Sequence, residues 1–188
     1  MGEKTKSVDS VSASVTSVRR HENNASAGGV FHVKCHSADG VLKWEAQSHN
    51  LVVDQGLQDM NNKYFGGSVY TASFFLGLIA GPGSGTAYSG SDTMTTHPGW
   101  VEFTDYTGTR KAMAFGAANF DNPSVVPNTS VAFSITATGI VAGAFLCTTT
   151  SGTGGILFSE ADFQSPGDRS VQSGDILNVA YTFSLAAS

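Results

Sequence analysis

Short segments of alternating apolar and polar residues, separated by glycine-rich turns, recur from Val30 to the end of the chain. Residues 31–36 alternate in this way, and the odd positions of 177–185 carry Leu, Val, Tyr, Phe and Leu. Such alternation puts the apolar side chains on one face of a strand. The 188 residues include 22 glycines and only 13% charged residues, a composition that disfavours helices. The sequence therefore predicts one all-β domain, a β-sandwich of jelly-roll-like type with one short helix and an extended N-terminal arm.

The turns between these segments predict the order of the strands. Ala38-Asp39-Gly40 predicts a hairpin between residues 30–36 and 41–46. Thr107-Gly108 predicts a second hairpin between residues 100–106 and 110–118. A glycine- and serine-rich loop is expected over 80–91. The other expected strands are 71–79, which is apolar on both faces, 130–137, 140–148, 156–159 and a long last strand.

One segment has the spacing of an amphipathic helix. From Val53, apolar residues recur at steps of four, three and four, at Leu57, Met60 and Tyr64. Asp54 is placed to cap the first turn, and Gly66-Gly67 follows the last one. The sequence therefore predicts a helix over about 54–65.

The first 29 residues differ from the rest of the chain. They contain no aromatic residue, and their four basic and three acidic residues leave a net charge of −6 on residues 30–188, against −5 for the whole chain. Such a segment buries too little apolar surface to order by itself. We therefore expect an extended arm over 1–29 and a β-sandwich domain over 30–188.

The arm carries the residues predicted to bind a partner. Its valines recur at steps of three, four and three, which puts them on one face of a helix if a partner supplies a groove; the alternative is a tail in which this spacing has no role. Its basic residues suit an acidic neighbour. The predicted partner-binding residues are Lys4, Lys6, Val8, Val11, Val15, Val18, Arg19 and Arg20.

A metal site is the first chemistry to consider. His32, Cys35 and His36 lie close in sequence, with His49 and Cys147 as further possible ligands. Strand alternation directs His32 and His36 to one face and Cys35 to the other, so one strand cannot present all three to a single ion. No metal and no cofactor is predicted. Two cysteines allow one disulfide at most, and the sequence does not show whether they approach each other.

The sequence also predicts no enzyme. No serine has the G-x-S-x-G setting of a hydrolase nucleophile, and the glycine-rich run 81–85 is followed by no lysine of a phosphate loop. Glu160 and Asp162 can share a strand face as a carboxylate pair, but solvated acids are a commoner reason for that spacing. Net charge −5 argues against nucleic-acid binding. The longest apolar run, 74–79, is too short for a membrane span, and residues 1–15 lack the apolar core of a signal peptide.

A set of segments spread over the predicted domain has the character of structural motifs. They are the hairpin 33–44, His49–Val53, Phe75–Leu78, Asp92–Met94, His97–Trp100, Arg110 with the strand 112–118, Phe133–Ala137, Val141–Leu146 and Ser173–Tyr181. Through these segments the region from Val30 to Leu185, nearly the whole predicted domain, resembles a family of small structural proteins from tailed-bacteriophage virions. The resemblance brings no catalytic residue with it.

This resemblance implies a part of the virion, assembled in the host cytoplasm. We expect a capsid decoration (cement) protein that binds the major capsid protein and neighbouring copies of itself, as a dimer or a trimer. A tail or head-fibre component that binds a host receptor or glycan is the alternative. For that alternative, the aromatic residues near the glycine- and serine-rich loops are the candidates: Tyr70, Tyr88, Trp100 and Tyr106.

Overall fold

A computed structural model describes residues 25–69, 73–81, 88–117, 125–127, 130–163 and 167–187. The chain is mostly β-strand, in two antiparallel sheets with one short helix, α1 (Asp54–Tyr64). The predicted all-β sandwich is confirmed, whereas the jelly-roll arrangement stays a prediction. The strands are β1 (Ala25–His36), β2 (Leu42–His49), β3 (Leu51–Val52), β4 (Phe74–Ala80), β5 (Val101–Phe103), β6 (Lys111–Met113), β7 (Val125–Pro127), β8 (Val131–Ser134), β9 (Gly139–Cys147), β10 (Leu157–Asp162), β11 (Arg169–Val171) and β12 (Ile176–Ala187).

The first sheet has β1 and β12 at its centre. These strands pair antiparallel along their whole lengths, from Ala25 opposite Ala187 to His36 opposite Ile176. β2 flanks β1 as the predicted first hairpin, and β7 and β8 both pair with β12. β1 begins at Ala25, upstream of the domain start predicted at Val30. Residues 26–29 are too small to show apolar alternation, and Gly29 packs directly against the Tyr181 ring, which corrects the predicted arm boundary.

The second sheet is ordered β3, β10, β9, β4 and β5, with β6 also on β4 and β11 on β9. The predicted hairpin around Thr107-Gly108 is wrong, because β5 and β6 do not pair with each other. Both pair with β4, β5 opposite residues 78–80 and β6 opposite 74–76. They form one interrupted edge strand. The residues between them reach the first sheet, where Tyr106 forms a bridge with Ile135.

The core lies between the two sheets. Phe31, Val33 and Tyr181 of the first sheet and Leu76 and Leu146 of the second belong to one buried cluster. In β12, Leu177 and Val179 are fully buried with Tyr181, as the alternation predicts, whereas Leu185 near the strand end is exposed. Burial of this apolar area is the main source of stability for a sandwich without disulfides, because both cysteines are free.

The helix is confirmed, but its cap differs from the prediction. The residue before the helix is Val53, which makes no side-chain capping bond, and Asp54 is the first helical residue. The buried helical residues are Gly56 and Asp59; a Cβ at Gly56 would collide with the Phe158 carbonyl. Because residue 56 is a glycine, α1 packs closely against β10. The helix face in this contact, formed by Gly56 and Asp59, carries no large apolar side chain. Among described residues, no helix is long and apolar enough to cross a bilayer.

Candidate interaction surface

Part of the apolar side of α1 lines an open groove at the edge of the core. Leu57, Met60 and Tyr64, three of the residues that predicted the helix, line a cavity of about 1200 Å³ at one end of the sandwich. Its other walls come from the first and last strands, including Ala27 and Leu185, and from both sheets. An amphipathic helix normally buries this stripe against the protein interior. Here Val53 and Met60 pack against the core, whereas Leu57 and Tyr64 are 38% and 84% exposed.

Aromatic rings form the floor of this groove. The Phe74 ring lies 5.4 Å from the rings of both Phe115 and Phe158, and Phe158 lies 5.8 Å from Phe183, all edge-to-face or tilted. Tyr64 and Phe65 at the rim are 84% and 79% exposed. Contiguous and accessible apolar surfaces of this kind mark interaction or ligand-binding sites in proteins.

A smaller apolar surface, here named the hairpin-tip patch, consists of Val41, Leu42 and Ile176. Val41 is 64% exposed, and Leu42 and Ile176 lie on the two strands that flank His36. Lys43 fixes the neighbouring turn through a 2.5 Å ion pair with the buried Asp175. Burial raises the pKa of the nearby Cys35 thiol to about 11, and the Asp175 carboxylate adds to that effect. The patch therefore stands on a rigid turn.

The outer face of the second sheet is covered, in contrast to the groove. The segment 88–100 lies over β4, β9 and β10 and buries Met94 and Trp100 in a second cluster with Ile79, Phe145 and Leu157. Trp100 stacks on His97, with ring centroids 3.8 Å apart, and contacts Phe145 at 4.8 Å. This cover explains why β9 is buried on both faces.

A carboxyl pair lies under this cover. Glu160 is fully buried and accepts a 2.7 Å hydrogen bond from the Trp100 indole, while its Oε1 atom has no ordinary hydrogen-bond donor. Asp92 is also buried, and its carboxylate accepts a hydrogen bond from the Ser89 backbone amide. Burial raises the pKa of Glu160 to about 7, opposed by the Trp100 hydrogen bond and reinforced by the Asp92 carboxylate. Near neutral pH, a proton on Glu160 removes the repulsion between the two carboxylates and provides a hydrogen-bond donor between them.

Arg110 closes the other side of the covered face. Its guanidinium forms a two-pronged ion pair with Glu102, at 2.8 and 2.7 Å, and donates to the carbonyls of Thr149 and Gly152. The same group lies 5.1 Å from the centre of the Phe145 ring. These contacts satisfy a buried cation completely, which is how a structural charge is kept inside a protein.

The charged groups under the cover are closed off from solvent. Glu160, Asp92 and Arg110 are inaccessible to solvent and are satisfied by protein groups or by each other. Asp162, the predicted neighbour of Glu160, is half-buried at the end of β10, and burial raises the pKa of its carboxyl. The geometry assigns these groups to holding the cover in place.

The residues considered for metal binding are dispersed. His32 is exposed on the outer face of the first sheet while Cys35 is buried beneath it, so the predicted alternation is confirmed. Cys147 lies in the other sheet, in the covered cluster. In the part of the chain that the structure describes, no three His, Cys, Asp or Glu side chains come together as a metal site.

The aromatic candidates for glycan binding are largely buried. Trp100 and Tyr106 are core residues, and the half-buried Tyr88 donates its hydroxyl to the Ala161 carbonyl. Burial, and then the acids Asp162, Glu160 and Asp168, raise the pKa of Tyr88. A sugar stacks on an accessible ring face, which these three residues do not provide. Tyr70 lies outside the described residues.

The eight predicted partner-binding residues of the arm, from Lys4 to Arg20, also lie outside the described residues. The groove was missed by sequence reasoning, because periodicity shows that a helix has an apolar side but not what covers that side. One signal was present: Tyr64 and Phe65 continue the apolar side directly before a glycine pair. Comparison of the chain with protein-family models and with curated protein sequences gives no match.

Proposed function

We propose that this protein is a structural component of a bacteriophage virion, a capsid decoration protein that binds the outside of the head. It would hold neighbouring capsid subunits together through contacts of the sandwich and of the arm. Its partners would be the major capsid protein and other copies of itself, as a dimer or a trimer. The sequence resemblance suggests the particle, and the shape of the domain suggests how it attaches.

The observation that carries the proposal is the way the arm joins the domain. Residues 1–24 lead directly into β1, which lies between β2 and β12 and pairs with β12 over twelve positions. A tether that continues a central strand transmits force into the whole sheet, whereas one on a loop would pull that loop out. The basic residues of the arm and the acidic body have opposite charges, which suits binding to an acidic shell.

The hairpin-tip patch provides a second contact. It is apolar, exposed and fixed by the Lys43–Asp175 ion pair, and it lies at the end of β1 remote from the arm. Two weak contacts at opposite ends of one rigid domain bind far more tightly together than either does alone. A protein that joins subunits needs this arrangement.

The test uses phage heads that lack the protein. Purified full-length chain is added, and copies per head and heat-induced DNA release are measured. We expect saturable binding and a higher release temperature, weakened severalfold when Lys4, Lys6, Arg19 and Arg20 are all changed to Gln. Lys34→Gln, at an exposed position on the first sheet, is the charge control. Binding to tails or host cells but not to heads would overturn the proposal in favour of a fibre component.

A further inference from the structure

The open groove beside α1 has no role in the proposed function. Leu57, Met60 and Tyr64 on α1 face the rings of Phe158 and Phe183 across it, and no described segment of the chain fills it. An isolated domain that left this surface bare would tend to aggregate. The groove therefore needs an occupant in the free protein.

The position of the arm identifies one. Ala27, the third residue of β1, lines the groove, so the residues that precede β1 leave the domain at its rim. Leu185, near the end of the partner strand, lines the same rim. The rest of the arm is thus tethered to the groove, at a high effective concentration.

The arm also has the required length and chemistry. Val8, Val11, Val15 and Val18 present four apolar side chains at helical spacing. Residues 8–18 match the eleven residues of α1, a length of about 16 Å in helical form. The seven residue steps from Val18 to Ala25, where β1 begins, reach up to about 23 Å when extended, which is enough to turn back across the groove. A stripe of valines against a helix and aromatic rings is the helix-in-groove mode of recognition.

We propose that in the free protein the groove binds residues 8–18 of the arm of the same chain, through the four valines. The basic residues at positions 4 and 6 stay outside the groove. The inference concerns the isolated protein and does not require that it binds a capsid. If the proposed function also holds, docking keeps the valines covered until the arm meets its partner on the head.

The test labels the full-length protein with a spin label at Ser12→Cys and records methyl NMR spectra. Cys35 and Cys147 are buried, and burial raises the pKa of both thiols, so the label goes to the new cysteine. We expect severalfold weaker signals from Leu57, Met60 and Leu185 than in the diamagnetic control, equally at low and high protein concentration. Changing all four valines to Ser restores the signals, whereas Lys4→Gln with Lys6→Gln does not.

Three outcomes would overturn the inference. The groove signals could be unaffected by the label. Their weakening could increase with protein concentration, which would identify the arm of a second copy as the occupant. In unlabelled protein, Phe120→Ser but not the valine changes could shift the groove signals, which would assign the groove to the segment that follows Phe115. Unchanged signals from the covered face, such as Met94, show that each variant is folded.

Discussion

The covered face of the second sheet and the open groove are built from similar aromatic residues but are completed differently. On the covered face, the ring of Trp100 lies over Phe145, and every buried charge has a partner within the domain. In the groove, Phe158 and Phe183 belong to a mostly apolar lining with no described cover, and the ion pair of Lys63 with Asp59, at 2.9 Å, is made within α1 itself. Buried charges need a fixed set of partners, and in both regions the domain supplies them on folding. The apolar lining of the groove needs no such fixed partner and can bind an occupant after folding.

The largest expected effect comes from removing the cover. Trp100→Ala should lower the free energy of unfolding by about 4 kcal/mol, because it leaves a cavity over Phe145 and removes the donor to Glu160. Urea denaturation followed by circular dichroism measures it. Trp44→Ala is the matched control: Trp44 is half-buried, with its indole bonded to the Ser170 carbonyl at 3.3 Å, and should cost about half as much or less. Equal losses of unfolding free energy would show that Trp100 stabilises the domain no more than the half-buried Trp44 does.

The second prediction concerns pH. Burial raises the pKa of Glu160 from 4.5 to about 7, so between these values the folded protein holds a proton that the unfolded chain has lost. The stabilising effect of that proton is complete below pH 4.5 and is lost as the pH rises through 7, by up to about 3 kcal/mol. Denaturation midpoints at a series of pH values measure this slope.

Glu160→Gln separates the carboxyl pair from other acids. The amide oxygen can still accept from Trp100, and the amide nitrogen can donate to Asp92 at any pH. We expect most of the slope to disappear, leaving the smaller contribution of Asp162, which has the same sign because its pKa is also raised. An unchanged slope in the variant would assign the pH dependence to groups outside the covered face.

The third prediction tests packing beneath the cover. Gly77 lies directly under the Phe145 ring, where an added methyl group has no space. Gly77→Ala should therefore cost about 2 kcal/mol through displacement of that ring. Gly28→Ala is the control, because a Cβ there meets nothing within 4 Å. Thermal unfolding of the two variants compares them, and similar midpoints would mean that Phe145 moves aside at no cost.

The smallest effect is expected at the rim of the groove. Phe65 is largely exposed and contacts Tyr64, so Phe65→Ser should change the free energy of unfolding by about 0.5 kcal/mol or less. The same urea titration measures this change. A loss as large as that of Trp100→Ala would mean that the rim belongs to the folded core and would remove the contrast between the two regions.

The sequence predicts the local features of this fold well. The turn at Ala38–Gly40, the alternation of β12 and the spacing of α1 depend on neighbouring residues, and each is found. The pairing of β5 and β6 was missed because strand partners are chosen by contacts distant in sequence. Thr107-Gly108 looks like a hairpin turn, yet both strands add to β4.

The chemistry of the two regions was harder to anticipate. Glu160 alternates as an outward-facing residue of β10, and only the distant segment 88–100 turns that outer face into an interior. In α1, Gly56 decides which side meets β10, so Leu57 and Tyr64 of the apolar stripe line the groove. Both differences arise because periodicity shows the composition of a face but not its neighbour.

The pairing of Ala25 with Ala187 brings the two ends of the described domain together at one edge of the groove. A short peptide linking them would preserve every strand pair, and new ends could be opened at the exposed loop around Gly108–Thr109, between β5 and β6 in the other sheet. In such a circular permutant the arm would have to be attached at another position. The distance between its attachment point and the groove could then be varied by design. A peptide fused directly after β12 in the native order, by contrast, would begin beside Ala25, the first residue of β1.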